Sequence, residues 1–538
     1  MKLRANGRGE LANIINHLIK NPQKEKKVKE CISDRSKTPT FTADETLGLF
    51  LSLKLSKCGN LFPSYFSVQK AKQLCYPPVE DITLTDTTVK IKLQALLDLT
   101  TNRLLKSITV DGNCRDMKLI SKWGFDGASN QATYKQKIES ETDDNDNADD
   151  SSIFMGSLVP IKLESGEKTI WENESPNSPL WCRPLFFKFI KENSVTIKQE
   201  MTSMESEISA LQDTKVNDLK ISHSLILTMI DGKISSILSN TSTQRCDICK
   251  ASPKEMNQLH VLSQKPPNTE LYKYGLSTLH MWIRMMECIL HIAYRLDFKT
   301  WTVKGDKKII MESKKKTIQD AFKVQMGLLI DIVKQGHGTT NDGNTARRFF
   351  ADYKKTASIT GVDENLIRRF GTILQVLSSG QNINVENFRV FAQDTMIMYL
   401  DLYKWYYMPS SVHKVLAHGA DIIANFGLIP IGKLSEEASE ARNKDFRRYR
   451  LNHSRKFNRK ATNQDILNNL LISSDPYIST KRIKIQRKHK ILSDEAKTLL
   501  VLQDTVDDDM DVENFDYVNV DSQSDFEVDH SDSEPEPE

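Results

Sequence analysis

MKLISKWGFDGAS, residues 117–129, is a short apolar and aromatic run that closes on an Asp-Gly pair. Its period differs from what precedes it. From Ala43 to about Leu105 the apolar residues fall at helical spacing. TADETLGLFLSLKLSK opens there with Thr42 as an N-cap, and KIKLQALLDLTTNRLLKSI repeats the pattern. After residue 117, three more runs rich in β-branched and aromatic residues follow, each bounded by Gly, Asn or Asp: SIFMGSLVPIKL (152–163), RPLFFKFI (183–190) and SHSLILTMIDGK (222–233). TSMESEISALQDTKV (202–216) reads as a helix between the last two, and the acidic ETDDNDNADD (141–150) as a loop. Beyond Asp231 strands largely stop. LSTLHMWIRMMECILHIAYRL, KKTIQDAFKVQMGLLIDIV, VDENLIRRFGTILQVLSS and VENFRVFAQDTMIMYLDLYKWYY are long and helical in period, with methionines read as packing material. Strands gathered before helices place the chain in the α+β class.

The 538 residues exceed what one compact core holds, so two to four domains are expected. No apolar run reaches membrane-spanning length, and MKLRANGRGELANIINHLIK lacks the apolar block of a secretory signal. Eight cysteines, only two of them closely spaced, do not form a disulfide framework, which points to a reduced, intracellular, soluble protein. The formal charge of +3 conceals polarity along the chain. Residues 504–538 carry 15 acids and no Lys or Arg, and without them 74 basic residues face 56 acidic ones. A basic body with an acidic tail suggests an anionic polymer as partner, with solubility alone as the plainer alternative. KRIKIQRKHK (481–490) fits a nuclear import signal or a phosphate-binding strip, and the tail has the composition of disorder.

Three acids stand out. Asp126 and Asp231 each end an apolar run and precede a glycine, at strand ends with room for close approach, and Glu440 lies in LSEEASEARNKDFRRYR (434–450). Two strand-end aspartates and a helix glutamate can converge on a pair of divalent cations. Hard oxygen ligands suit magnesium, and two such ions clamp an in-line phosphoryl displacement. Singly, an Asp-Gly is also an ordinary turn, and the charges of 434–450 also suit a solvated helix face. On a helix, Glu440, Lys444, Arg447 and Arg448 share one face. A second set joins Cys246 and Cys249 of CDIC to His413 and His418 of HKVLAH. The spacing is that of tetrahedral zinc, split by more than 160 residues, which suits a site pinning the start of a helical insertion to its end. Two satisfied, non-ligating histidines are the alternative.

At this point the chain resembles the Transib-family transposases, the cut-and-paste DNA transposases related to the catalytic subunit of the V(D)J recombinase. The resemblance runs from about 45 to 480 in ETLGLFLSLKLSK, FPSYFSVQKAKQLCYP, FDGASNQATYKQK, PNSPLWCRPL, MIDGK, CDIC, GLSTLHMWIR, TNDGNTARRFF, SSGQNINVENF, WYYMPSSVHKVLAHG and SEEASEARNKDFRRYR. The sequence departs from the family where only Cys58 and Gly59 separate LKLSK from NLFPSYF, in place of a longer helical segment.

The resemblance implies an RNase H-like catalytic core, a mixed sheet with flanking helices, whose Asp-Asp-Glu triad is Asp126, Asp231 and Glu440. Glu436 and Glu437 are rivals for the third place; otherwise they face away or support the site. It implies two Mg2+ (or Mn2+) ions per active site and a structural Zn2+ on Cys246, Cys249, His413 and His418. Lys444, Arg447 and Arg448, with Asn344, Arg347 and Arg348 of TNDGNTARRFF, are expected to contact DNA. The expected domains are a basic arm (1–40), a helical DNA-binding and dimerisation region (41–118), the first part of the core (119–231) and a helical zinc-binding insertion (232–433). The catalytic Glu helix (434–460), a basic segment (461–503) and a disordered acidic tail (504–538) complete the chain. The implied reaction is a nick at the transposon end, then attack of the freed 3′ hydroxyl on the opposite strand to leave a hairpin on flanking DNA, then joining to target DNA. The partners are double-stranded DNA, as terminal inverted repeats and target, and a second copy, since two ends must be served. The location is the nucleus. The rival reading is a host-retained or decayed relative that binds DNA without cutting. A zinc hydrolase is disfavoured because a Cys2His2 set leaves no open position.

Overall fold

The computed structural model describes residues 41–53, 62–110, 114–129, 136, 149–334, 338–427, 429–483, 485–486, 492–501 and 515–516. The basic arm, the Cys58–Gly59 junction and most of the acidic tail lie outside them. Of the tail, Phe515 and Asp516 pair antiparallel with Gln486 and Ile485.

The strands form one mixed sheet: β1 (Ile82–Leu84), β2 (Thr88–Ile91), β3 (Asp116–Ala128), β4 (Ile153–Ser165), β5 (Lys168–Glu172), β6 (Arg183–Lys188), β7 (Thr214–Val216) and β8 (Leu219–Leu227). Their spatial order is β1-β2-β6-β4-β3-β8-β7, with β5 on β4. β3 is central, antiparallel to β4 and parallel to β8. It is buried from Leu119 to Phe125 because helices cover both faces, which is why it reads as an apolar run without alternation.

Alternation nevertheless sorts its side chains. Trp123 and Phe125 enter an aromatic core, with Phe125 5.4 Å from Phe154 between ring centroids. That core also holds residues of α3 (Leu93–Leu105), α4 (Ser194–Ser209) and α14 (Arg459–Ser473). Lys122, Gly124 and Asp126 take the opposite face.

Helices before the sheet are α1 (Ala43–Leu53) and α2 (Tyr65–Gln73). Thr42 caps α1 as expected: Glu45 N–H donates to its hydroxyl at 3.2 Å, and Thr42 N–H donates to Glu45 Oε2 at 2.9 Å. The segment 41–118 is not wholly helical, however. Lys90 and Ile91, expected to open a helix, end β2, because β6 supplies an open edge whose pairing outweighs the local pattern.

After β8 come α5 (Gly232–Leu238), α6 (Thr278–Arg295), α7 (Asp306–Met326), α8 (Gly343–Ala351), α9 (Tyr353–Thr360), α10 (Glu364–Leu377), α11 (Val385–Tyr403), α12 (Ser410–Asn425), α13 (Glu437–Asn452) and α15 (Pro476–Lys481), the last following α14. From α6 to α12 they share one core around Met285, Met286, Phe349, Phe370 and Tyr399, so the methionines do pack. Each large side chain so buried contributes about 1.5–3 kcal/mol. α7 stops where Gly327 turns left-handed at φ 61°, short of the expected Val333.

Ile234 of α5 packs into the sheet's core, and so do Ile466, Leu467, Leu470 and Leu471 of α14. Among the described residues no helix is long and apolar enough to cross a membrane.

Candidate active site

Gly124 sets the geometry. A Cβ there would lie 2.0 Å from the Met229 carbonyl oxygen, so only glycine lets the chain leaving β8 lie flat on β3. The N–H groups of Thr228 and Met229 both donate to the Trp123 carbonyl, at 3.2 and 3.1 Å. Asp231 follows two residues later. It was expected at a strand end, but β8 ends at Leu227 and Asp231 instead caps α5, accepting from Ile234 N–H at 2.8 Å. Asp126 does lie near the end of its strand, but the strand is central, and the space beside Gly127 is taken by Glu192. A Cβ there would meet Glu192 Oε2 at 2.3 Å.

Glu440 comes from the first turn of α13, which crosses the same face. Two buried arginines hold that helix. Arg442 donates to the carbonyls of Cys182 (2.9 Å) and Pro179 (2.5 Å), to Ser473 Oγ (2.9 Å) and to Asp445 (3.0 Å). Arg450 donates to the Asp150 carbonyl at 2.6 Å and pairs with its carboxylate, which Arg459 shares at 2.6 Å. Phe446 packs on Phe187 at 5.1 Å. The acid-rich and basic parts of 434–450 are thus partly structural, and its arginines do not all face outward.

The Asp126 carboxyl feels both of the other acids. Burial raises the Asp126 carboxyl well above its usual range, and Asp231, Glu192 and Glu440 add to this while His280 opposes it. Asn443 Nδ2 donates to Asp126 Oδ2 at 2.9 Å. Glu440 is raised by burial, with His280 and Lys444 opposing. Among the described residues its buried Oε2 has no hydrogen-bond partner. The oxygens of the trio are not drawn into a tight cluster. Among the described residues, the group whose donor atoms gather within 4.8 Å is Cys246, Cys249, His413 and His418, all buried.

In that group, Cys249 Sγ lies 3.4 Å from His413 Nε2, and among the described residues His418 Nε2 has no hydrogen-bond partner. Four soft and borderline donors with an orphaned imidazole nitrogen fit a tetrahedral metal. Both histidines project from α12, and the cysteines sit in the loop after α5, so the set ties the two ends of the helical unit.

Glu436 and Glu437, the rivals for the third place, both have partners in the fold. Glu436 is 5% exposed; it accepts from Ser277 and lies 3.0 Å from His280 Nδ1. Burial works against the His280 imidazolium, but Glu436, Asp231 and Glu440 push its pKa up to about 10. Glu437 pairs with Arg347, which also lies over the Trp282 ring at 5.7 Å. Of the other expected DNA contacts, Lys444, Asn344 and Arg348 are exposed and Arg447 is half-buried. Arg348 donates to the Met326 carbonyl at 2.7 Å. Arg448 pairs with Asp445 at 2.8 Å and leans on Tyr449. Glu192, His280 and Asn443 were missed by sequence reasoning. His280 lies in GLSTLHMWIR, where the apolar period hides it, and its partner is 156 residues away.

A small cleft of about 90 Å³ runs from Asp231 and His280 to Arg245 and Lys414 beside the cysteines. Of the three acids, Asp231 lines it.

Residues 120–239 match the RNase H domain family of recombination-activation protein 1 (RAG1). The match takes in Asp126 and Asp231 and stops before Cys246 and Glu440. Among solved structures, the Drosophila P element transposase strand transfer complex is similar at 11% identity and a TM-score of 0.33, over 85% of this chain and 99% of that one. No curated protein matches the chain. The matched segment thus resembles the RAG1 RNase H domain, and the mixed sheet with flanking helices is consistent with an RNase H-like fold.

Proposed function

We propose that this chain is a cut-and-paste DNA transposase of the Transib type, and that Asp126, Asp231 and Glu440 form its catalytic site. The observation that supports the reading is that Asp231 and Glu440, up to 314 residues away in the chain, both act on the buried Asp126 carboxyl of β3. Crowding half-buried carboxylates is unfavourable by itself, and a divalent cation is the partner that reverses the sign. Asp126, Asp231 and Glu440 would hold Mg2+ or Mn2+, two ions per site, which when bound neutralise charge on the phosphoryl oxygens. Cys246, Cys249, His413 and His418 would hold a structural Zn2+.

The chain's own residues do the positioning. Asn443 orients Asp126, the Glu436–His280 pair fixes the start of α13 against α6, and exposed Lys444 with half-buried Arg447 faces phosphates flanking the scissile one. The proposed sequence has water attack the phosphate at the transposon end, breaking the P–O3′ bond and freeing a 3′ hydroxyl. That hydroxyl then attacks the opposite strand, closing a hairpin on flanking DNA, and the excised ends join target DNA. Serving two ends requires a homodimer, and the work is nuclear. The rival reading, a retained DNA-binding relative, is disfavoured by the orphaned oxygen of Glu440, which binding alone does not use.

The test is a divalent-dependent cleavage assay on terminal-repeat DNA taken from the sequence flanking the coding region. D126N, D231N and E440Q should each lose nicking and hairpin formation together, while terminal-repeat binding persists. Wild-type protein that binds this DNA and never cuts it overturns the proposal in favour of the retained binder.

A further inference from the structure

We propose that Lys122 is a positioning residue that fixes the Glu440 carboxylate against that of Asp126, by clamping the chain segment that leads into α13. The role rests on the catalytic reading above. Lys122 and Asp126 are four residues apart on β3 and share its face. Lys122 is fully buried at 0% exposure. Its Nζ donates to Asn177 Oδ1 at 2.7 Å, to the Lys433 carbonyl at 2.9 Å and to the Ser435 carbonyl at 2.7 Å. An ammonium has three N–H groups, and here all three meet acceptors. Asn177 extends the clamp, donating to the Gly432 carbonyl at 2.7 Å.

The other side of the segment is closed as well. A Cβ on Gly432 would meet Gly380 N at 2.7 Å and the Leu377 carbonyl oxygen at 2.9 Å, at the end of α10. Residues 432–435 are therefore held between β3 and the helical unit, and α13 begins two residues later. Burying an ammonium is unfavourable because it loses its hydration, whereas a methionine of similar length incurs no such loss. What the ammonium adds is direction: three bonds to two carbonyls and one amide set the register of the segment, which apolar packing would not.

The clamp is also sensitive to pH. Burial lowers the Lys122 ammonium to about 7, against Cys182, Glu436 and Glu437, which favour the charged form. The Lys433 ammonium is engaged by Glu172 at 2.5 Å. A neutral amine keeps two N–H groups for three acceptors, so one bond is lost as pH rises.

K122M and N177L test this in the full chain, with Mn2+ affinity read by electron paramagnetic resonance and cleavage read as a function of metal and pH. K122M should bind terminal-repeat DNA like wild type but bind Mn2+ about tenfold or more weakly, the usual effect of losing a group that orients a ligand. It should also lack the alkaline fall in activity expected of the wild type. N177L should shift Mn2+ affinity in the same direction by less. Wild-type Mn2+ affinity and pH profile in K122M overturn the proposal, whatever its melting temperature. Should K122M not fold, unchanged Mn2+ affinity in N177L overturns it. A wild type that binds no Mn2+ defeats the catalytic reading itself, and the clamp with it.

Discussion

R442M separates structural from DNA-facing cations in residues 434–450. Arg442 is 0% exposed and makes bonds to two carbonyls, one hydroxyl and one carboxylate. Methionine fills much of the same volume but donates nothing. Each buried acceptor left unsatisfied costs roughly 1–3 kcal/mol. Removing one partner of a buried pair costs about 3–5 kcal/mol in all, with Asp445 as the partner left behind. Asp445 keeps Arg448 at 2.8 Å, which favours the lower part of that range. A domain's whole stability is about 5–15 kcal/mol, so the loss is a large share of it. The assay is urea unfolding of the core, where the midpoint should fall with little change in slope. DNA binding by the folded fraction, titrated with salt, should keep its wild-type slope. R447A should do the reverse: a smaller loss of stability than R442M, and a salt slope shallower by about 1. An R442M protein as stable as wild type with a shallower salt slope would refute this assignment.

Further expectations concern the metals, the ion pair and the tail. Purified protein should hold about one zinc per chain, and C249A or H418A should lose it and destabilise the unit from α6 to α12, read by metal analysis and limited proteolysis. His280 in the folded state is raised to about 10 from 6.5, so its contribution is complete below about 6.5 and fades as pH climbs toward 10. Against its burial, His280 and Ser277 lower the Glu436 carboxyl from 4.5, so its contribution is complete above about 4.5 and fades below. The gap in melting temperature between wild type and H280Q, measured without added divalent metal, should be widest between those two limits. Deleting residues 504–538 should raise affinity for non-specific DNA at low salt, since 15 tethered acids compete with phosphate for the basic body. An unchanged salt titration counts against that restraint.

Sequence alone determined what depends on neighbours along the chain. The runs that became β3, β4, β6 and β8 are short, apolar and bounded by turn residues, and α6, α10 and α11 carry a helical period, so both kinds of element were legible. The Cys246/Cys249 and His413/His418 pairs were legible too, because donors at short spacing keep their chemistry wherever the halves meet. Tertiary structure decided what depends on partners far away. Ile91 became strand because β6 offered an edge, and Asp231 became a helix cap because Gly124 let its loop lie on β3. Arg442 and Arg450 look like surface cations in the sequence, and only the carbonyls and carboxylates around them make them interior. Lys122, Glu192 and His280 carry no local mark at all. A hydrogen bond or a field from a residue 156 or 311 positions away leaves nothing in the spacing of the chain, since it exists only once the fold has brought the two groups together.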